Sequence, residues 1–297
     1  MVRVLTALLA TMLAANPSSA APLSATASKD GLSFSASLEK ATFLPDEPII
    51  CRMTITNLTG KTRRVAEPTR WYGVGLHLTL LKGKGSIPPM YQGTGPGPDP
   101  DYGWDLAAGQ SSTQETDVTG LFSNSLSVGE YSLTASYDPA EDVKGIWHAK
   151  ITLLDMHFSV VAPTGTDGEA AKAFGAAKRL ARRGGEQAGG EAVALLEPLL
   201  DPKRGGVFTR YVGYWLAYAN QYVDREKSLE QLRQYVLEHG DVPVYGRGAA
   251  YRLVYRLYYD GQQKEALKAL ANVPDEYERR RWVKKCEAAL AKGEEPR

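Results

Sequence analysis

Side chains able to do chemistry are sparse in this 297-residue chain, and they divide into a set that could react and a set that could recognise. The four histidines, His77, His148, His157 and His239, are the groups whose unperturbed pKa suits acid–base work near neutral pH. None stands in an HExxH pattern, a close histidine pair or a Cys/His zinc spacing. There is no GxSxG elbow, no GxxxxGK phosphate loop and no dinucleotide-binding glycine fingerprint after a strand. Each histidine is therefore expected to be structural or solvated. Cys51 alternates with Ile49, Met53 and Ile55, and Cys286 shares a helical stripe with Trp282, Ala289 and Leu290, so both read as buried small hydrophobes. A bridge between them would require Cα atoms within about 7 Å. Asp99, Asp101 and Asp105 offer oxygen ligands, but a calcium loop of the EF-hand kind needs a ligand where Gly103 stands and a closing Glu. The expectation is no cofactor, no metal, no catalytic residue and no enzymatic activity.

The recognising set is aromatic and cationic. Tyr211, Tyr214, Trp215, Tyr218 and Tyr222, then Tyr251, Tyr255, Tyr258 and Tyr259, recur at spacings of three and four, with Arg247, Arg252 and Arg256 interleaved. Most of these rings must pack between helices. Tyr214, Tyr218, Tyr251, Arg252, Tyr255 and Arg256 are expected to face a groove, where hydroxyls and guanidinium forks can hold a peptide backbone or a C-terminal carboxylate. A second group consists of Tyr91, Tyr102 and Trp104 in the irregular stretch Ile87 to Gln110 and Trp71 just before the neighbouring strand. Such rings serve as sugar platforms or protein hot spots, or fold back as a lid over a core.

Two kinds of element must position these groups. Leu32/Phe34/Ala36/Leu38, Ile49/Cys51/Met53/Ile55 and Tyr131/Leu133/Ala135/Tyr137 alternate with period two, the mark of half-buried strands. Further strands are expected at Lys61–Val65, Gly75–Leu81, Ile146–Leu153 and His157–Val161, and none through the Pro- and Gly-rich Ile87 to Gln110. Near Pro163 the period becomes helical and repeats about every 36 to 38 residues. Helices are expected at Glu169–Arg183, Gly190–Leu200, Val207–Tyr222, Arg225–His239, Tyr245–Tyr259, Gln262–Asn272 and Asp275–Lys292, with glycines at their stops.

The predicted organisation is a signal peptide over 1–20, a β domain over 21–162, a linker over 163–168, helical repeats over 169–292 and a disordered tail over 293–297. Arg3, the apolar run Val4–Ala15 and Ser18-Ser19-Ala20 supply the signal, so export to a periplasm or the outside is expected. No other segment approaches the ~20 apolar residues of a membrane helix, so no integral membrane segment is expected in the mature chain. The net charge of +1 excludes the basic balance of a nucleic-acid binder. Residues 21–162 carry 11 Lys/Arg against 15 Asp/Glu, and residues 163–297 carry 23 against 19. Halves at −4 and +4 favour docking on each other, within the ~8 to 10 Å reach that salt allows.

Gly129-Glu130-Tyr131-Ser132-Leu133, Tyr137 and the closing Phe158-Ser159-Val160 resemble the last hairpin of bacterial extracellular immunoglobulin-like (Ig-like) domains. The resemblance implies an antiparallel β-sandwich. Ala192, Ser228 and Ala266, spaced 36 and 38 apart, with Leu196, Leu232 and Leu270 four residues after each, resemble the tetratricopeptide repeat (TPR), where a small residue lets paired helices approach. That resemblance implies a short solenoid whose first helices line a groove. The expected function is an exported, non-enzymatic adaptor that recognises another envelope or extracellular protein through its repeats and the sandwich loops. The alternatives are a carbohydrate- or cell-wall-binding module using the aromatic loop, and an Ig-like protease inhibitor inserting Gly93–Asp105.

Overall fold

The computed structural model describes residues 23–66, 75–90, 103–122, 125–139, 146–147, 150–153, 155–273 and 276–292. Sheets fill the N-terminal region and helices the C-terminal one. Strands β1 (Leu23–Lys29), β2 (Leu32–Leu38), β4 (Ile50–Asn57) and β9 (Ser111–Asp117) form one antiparallel sheet in the order β1-β2-β4-β9. The second sheet runs β3 (Thr42–Phe43), β12 (Met156–Val160), β10 (Gly129–Asp138), β6 (Gly75–Lys82), β7 (Gly85–Ile87), with β11 (Ile151–Thr152) beside β10. Its β3–β12 pairing is parallel; its other described pairings are antiparallel. A short ribbon joins β5 (Arg63–Ala66) to β8 (Gly103–Leu106).

Period-two patterning explains the register. Phe34, Ala36 and Leu38 of β2 lie opposite Ile55, Met53 and Cys51 of β4, and the inward residues of both sheets meet in one core with Leu80, Leu133, Tyr137 and Phe158. The β1–β2 hairpin turns on Asp30-Gly31, both at positive φ (51° and 78°), as a two-residue turn with the twist of its strands demands. Asn57, first of the Asn-Leu-Thr acceptor pattern, is fully buried. Its amide donates to the carbonyls of Lys61, Leu106 and Ala107, and its side-chain oxygen accepts from Thr59. The residue is a clasp for the loop rather than a site for a glycan.

Several expectations need correction. Strand β8 lies inside the stretch expected to hold none, because β5 supplies a partner that period alone does not reveal. Among the described residues of the strand expected at Ile146–Leu153, Ile151–Thr152 alone are in a strand. Strands β1 and β9 and the short helix α1 (Val118–Phe122) were not expected.

The main helices are α2 (Gly165–Arg183), α3 (Glu186–Leu196), α5 (Thr209–Asn220), α6 (Arg225–His239), α7 (Tyr245–Tyr259), α8 (Gln263–Ala269) and α9 (Glu276–Lys292), with the single turn α4 (Pro202–Gly205) between α3 and α5. Helix α2 begins at Gly165, inside the segment expected as linker. The Gly190–Leu200 expectation resolves into α3 followed by a 3₁₀ turn at Glu197–Leu200, where Pro198 cannot continue an α-helical hydrogen-bond ladder. Apart from the isolated turn α4, these helices pack in chain order, and α5 also touches both α2 and α7. No described helix is long and apolar enough to cross a membrane.

The two regions share their packing. Ile50, at the start of β4, belongs to the helical core, the cluster that also holds Phe174 and Tyr211, and Leu44 packs against the same cluster. Acidic groups of the sheets meet basic groups of the helices: Arg210 pairs with Glu39 at 2.6 Å, Arg179 lies 3.7 Å from Asp46, and Lys178 donates to the Asp46 carbonyl at 3.5 Å. This is the contact that the opposite charges of the halves favour. Helix α2 accepts Asp46 at Gly175, where any side chain would collide with its carboxylate.

Candidate functional site

Helices α2, α5 and α7 are the first members of their pairs, and their inner side is the groove expected from sequence. Ile50 and Leu44 of the sheet region pack into the core that these helices build. What remains open is a cleft of about 400 Å³ between the edge of β9, the edge of β6 and these three helices. Its size falls within the ~300–1,000 Å³ of ligand pockets, and its place at a junction of two structural units is where such pockets concentrate.

Three guanidinium groups line it, one from each of α2 and α7's two successive turns: Arg182, Arg247 and Arg252. Arg252 donates to the Tyr214 hydroxyl at 3.0 Å and lies over the Tyr218 ring, 4.3 Å from its centroid. Arg182 stacks on Trp215 at 5.2 Å. Arg247 donates to the Glu115 carbonyl at 3.2 Å. None of the three has a carboxylate within ion-pair distance among the described residues. Aromatic faces orient these cations without neutralising them. Burial opposes the charge of Arg252, but the hydroxyls of Tyr214 and Tyr218 outweigh it and hold the guanidinium pKa above its ordinary value.

The nearby acids are engaged elsewhere. Glu115 pairs with Arg52 at 2.7 Å, while Asp117 accepts from Tyr245 at 2.8 Å and from Thr119. Tyr245 is buried, and that burial, followed by the Asp117 carboxylate, pushes its hydroxyl pKa well above the usual value. Behind Trp215, Lys178 is buried with its ammonium 5.5 Å from the Phe174 ring centroid and 5.9 Å from that of Trp215. Burial lowers its pKa, Asp117 and Asp46 pull the other way, and Arg182 and Arg179 add to the lowering.

Apolar surface comes from Met53, Leu76, Leu78 and Leu121. Val244, which also lines the cleft and precedes α7, is held at φ 66°. For a β-branched residue that conformation costs ~1–3 kcal/mol, and such strain concentrates at binding and active sites. The indole N–H of Trp215 is buried and has no hydrogen-bond partner among the described residues.

Of the six groove residues expected from sequence, Tyr214, Tyr218 and Arg252 come together here. The other three do not join them. Tyr251 packs against the helical core, and Arg256 ties α7 to α6 by donating to Ser228 at 2.6 Å and to the Arg225 carbonyl at 3.1 Å. Tyr255 is half exposed and packs against Tyr259 with tilted rings and edge-on against Trp282. Of the loop aromatics, Trp71, Tyr91 and Tyr102 lie outside the described residues, and Trp104 stands in β8 in register with Val65. The chain matches no family model and no curated protein.

Sequence reasoning missed Arg182, Tyr245 and the whole of β9 as parts of the site. One signal was present in the alternation Ser112/Gln114/Thr116. These residues lie opposite Ile55, Met53 and Cys51, on the side of the strand that should be apolar. Polar groups are tolerated there because part of that face borders the cleft: Gln114 and Thr116 both line it. The thiols are free and buried, and burial pushes Cys51 up to about 12, which removes it as a nucleophile near neutral pH.

Proposed function

We propose that this is an exported, non-enzymatic binding protein whose partner is another envelope or extracellular protein, held in the cleft between the sheets and helices α2, α5 and α7. The observation that carries the reading is the set of guanidinium groups, Arg182, Arg247 and Arg252, around an aromatic-walled cleft whose two acidic lining residues are engaged by other groups, Glu115 by Arg52 and Asp117 by Tyr245 and Thr119. Such a wall suits an anionic group attached to an apolar one. The β region is read as an Ig-like sandwich, supported by the Tyr131 hydroxyl donating back to the Ser127 carbonyl at 2.6 Å, the corner found in that fold. The helical region is read as a TPR-like stack, supported by the complete burial of Ala192, Ser228 and Ala266 at the spacing of the repeat.

The test is affinity capture from the native exported fraction by the whole mature chain, read by mass spectrometry beside Arg182→Ala/Arg252→Ala and Arg256→Ala variants. Proteins retained by the wild type should be lost by the double variant and kept by Arg256→Ala, whose guanidinium serves the α6–α7 contact. Retention of the same proteins by the double variant would remove the cleft from the function.

A further inference from the structure

Strand β9 pairs with β4 on one side and ends its sheet on the other. The carbonyl of Glu115 points away from β4, since it accepts from Arg247. Backbone groups two residues apart on a strand face the same way, so the N–H and C=O of Thr113 look out from the same free edge. No described strand pairs with them. The edge leads toward Glu115 and Asp117, where the arginines and the apolar wall of Met53, Leu76, Leu78 and Leu121 lie.

We infer that a C-terminal segment of the partner adds to the free edge of β9 as an extended strand and delivers its terminal carboxylate to Arg247 and Arg252. The inference rests on the cleft being the binding site proposed above. An edge strand supplies main-chain hydrogen bonds that any sequence can use, and a guanidinium fork supplies a bidentate partner for a carboxylate. Both features converge at one end of one strand. The added segment enters past Thr113 and finishes at the arginines, so it runs parallel to β9. Pairing ends before Glu115, whose carbonyl Arg247 already holds. The last side chain of the ligand then occupies the apolar part of the cleft, which selects an apolar residue there. The buried indole N–H of Trp215, in the wall, is a donor still without an acceptor.

The experiment uses the full mature chain and randomised pentapeptide libraries in matched forms: free C-terminus, C-terminal amide, and free C-terminus with N-methylated backbone. Free-carboxylate peptides should be retained about tenfold better than their amides, equivalent to ~1.4 kcal/mol. They should converge on an apolar last residue, and N-methylation should lower retention by a similar factor. Arg252→Ala should abolish the preference for the free acid. Thr113→Pro, which removes one edge donor and leaves the β4 ladder intact, should mimic N-methylation from the protein side. The N-methylated peptides make the test independent of whether that variant folds. Equal retention of acids and amides would overturn the carboxylate assignment while leaving a peptide site in the cleft. Indifference to N-methylation would overturn strand addition. If no library is retained although whole proteins are captured through the cleft, the terminal-segment inference fails and the protein-binding reading stands. Retention of free small carboxylates with the same dependence on Arg252, and of no peptide, would assign the cleft to small acids instead.

Discussion

Replacing Gly175 by alanine tests whether the sheet and helical regions are joined as described. Ordinarily an alanine in the interior of a helix stabilises it relative to glycine by up to ~1 kcal/mol. At Gly175 the new Cβ would stand 2.1 Å from Oδ2 and 2.3 Å from Cγ of Asp46, where real contacts begin near 3.4 Å. The carboxylate must therefore retreat by about 1.3 Å (3.4 − 2.1). Asp46 has little room for this, because its backbone is at φ 64° and its carbonyl is held by Lys178. Overpacking of this kind costs ~1–3 kcal/mol, which exceeds or cancels the helical gain. Gly190, in the middle of α3, is the control: a Cβ there meets nothing within 4 Å. Gly190→Ala should raise the melting temperature and Gly175→Ala should lower it or leave it flat. The difference of ~1–3 kcal/mol corresponds to a separation of roughly 2–12 °C, at about 2–4 °C per kcal/mol for a chain of this size. Circular dichroism melts of both variants are sufficient. Equal stabilisation by the two alanines would show that Asp46 does not seat against α2, and the reasoning about the junction would fall.

Alkaline pH should destabilise the protein steeply. Burial raises the pKa of Tyr211, Tyr235 and Tyr245 above the ordinary 10.0, so above pH 10 the unfolded chain releases protons that the native state keeps. Stability then falls with rising pH by up to ~1.4 kcal/mol per unit for each tyrosine, or ~4 for the three. Urea denaturation at intervals between pH 9 and 11.5 reads this slope, and Tyr235→Phe should remove about a third of it. Asn57→Ala should cost ~1–3 kcal/mol, since the buried Leu106 carbonyl and the part-buried carbonyls of Lys61 and Ala107 lose the amide that joins them, and intact mass should show no glycan at Asn57 in protein expressed through a glycosylating secretory route. A thiol reagent should find no reactive cysteine in the native protein and two in denaturant; none in denaturant would mean that Cys51 and Cys286 are bridged.

The elements with an uninterrupted apolar period were legible in the sequence. Strands β2, β4 and β10 follow their alternation, and α6 and α7 have the bounds that their patterns and flanking residues give. The misses share a cause: each depends on a partner distant in the chain. Strand β9 reads Ser-Ser-Thr-Gln-Glu-Thr-Asp, polar on both sides, because its inner face borders the cleft as well as the core. Strand β8 exists through its pairing with β5, across a stretch whose prolines argue against any strand. The site was half visible for the same reason. Tyr214, Tyr218 and Arg252, expected from their types and spacing to face a groove, line one cleft. Spacing along α7 could not say that Arg256 would be spent on Ser228, nor that Arg182, 70 residues before Arg252 (252 − 182), would line the same cleft.

Ile50 sits on a strand of the sheet region, yet its side chain belongs to the helical core. A polypeptide cut between Pro163 and Thr164 would thus leave the helical fragment with a vacancy among Phe174 and Tyr211, and the sheet fragment with an isoleucine turned to water. Fragments of this kind should be poor solo folders and good complementers, recovering native structure on mixing. On this packing the chain is one cooperative body assembled from two architectures, and the partner proposed for the cleft would press on the seam between them.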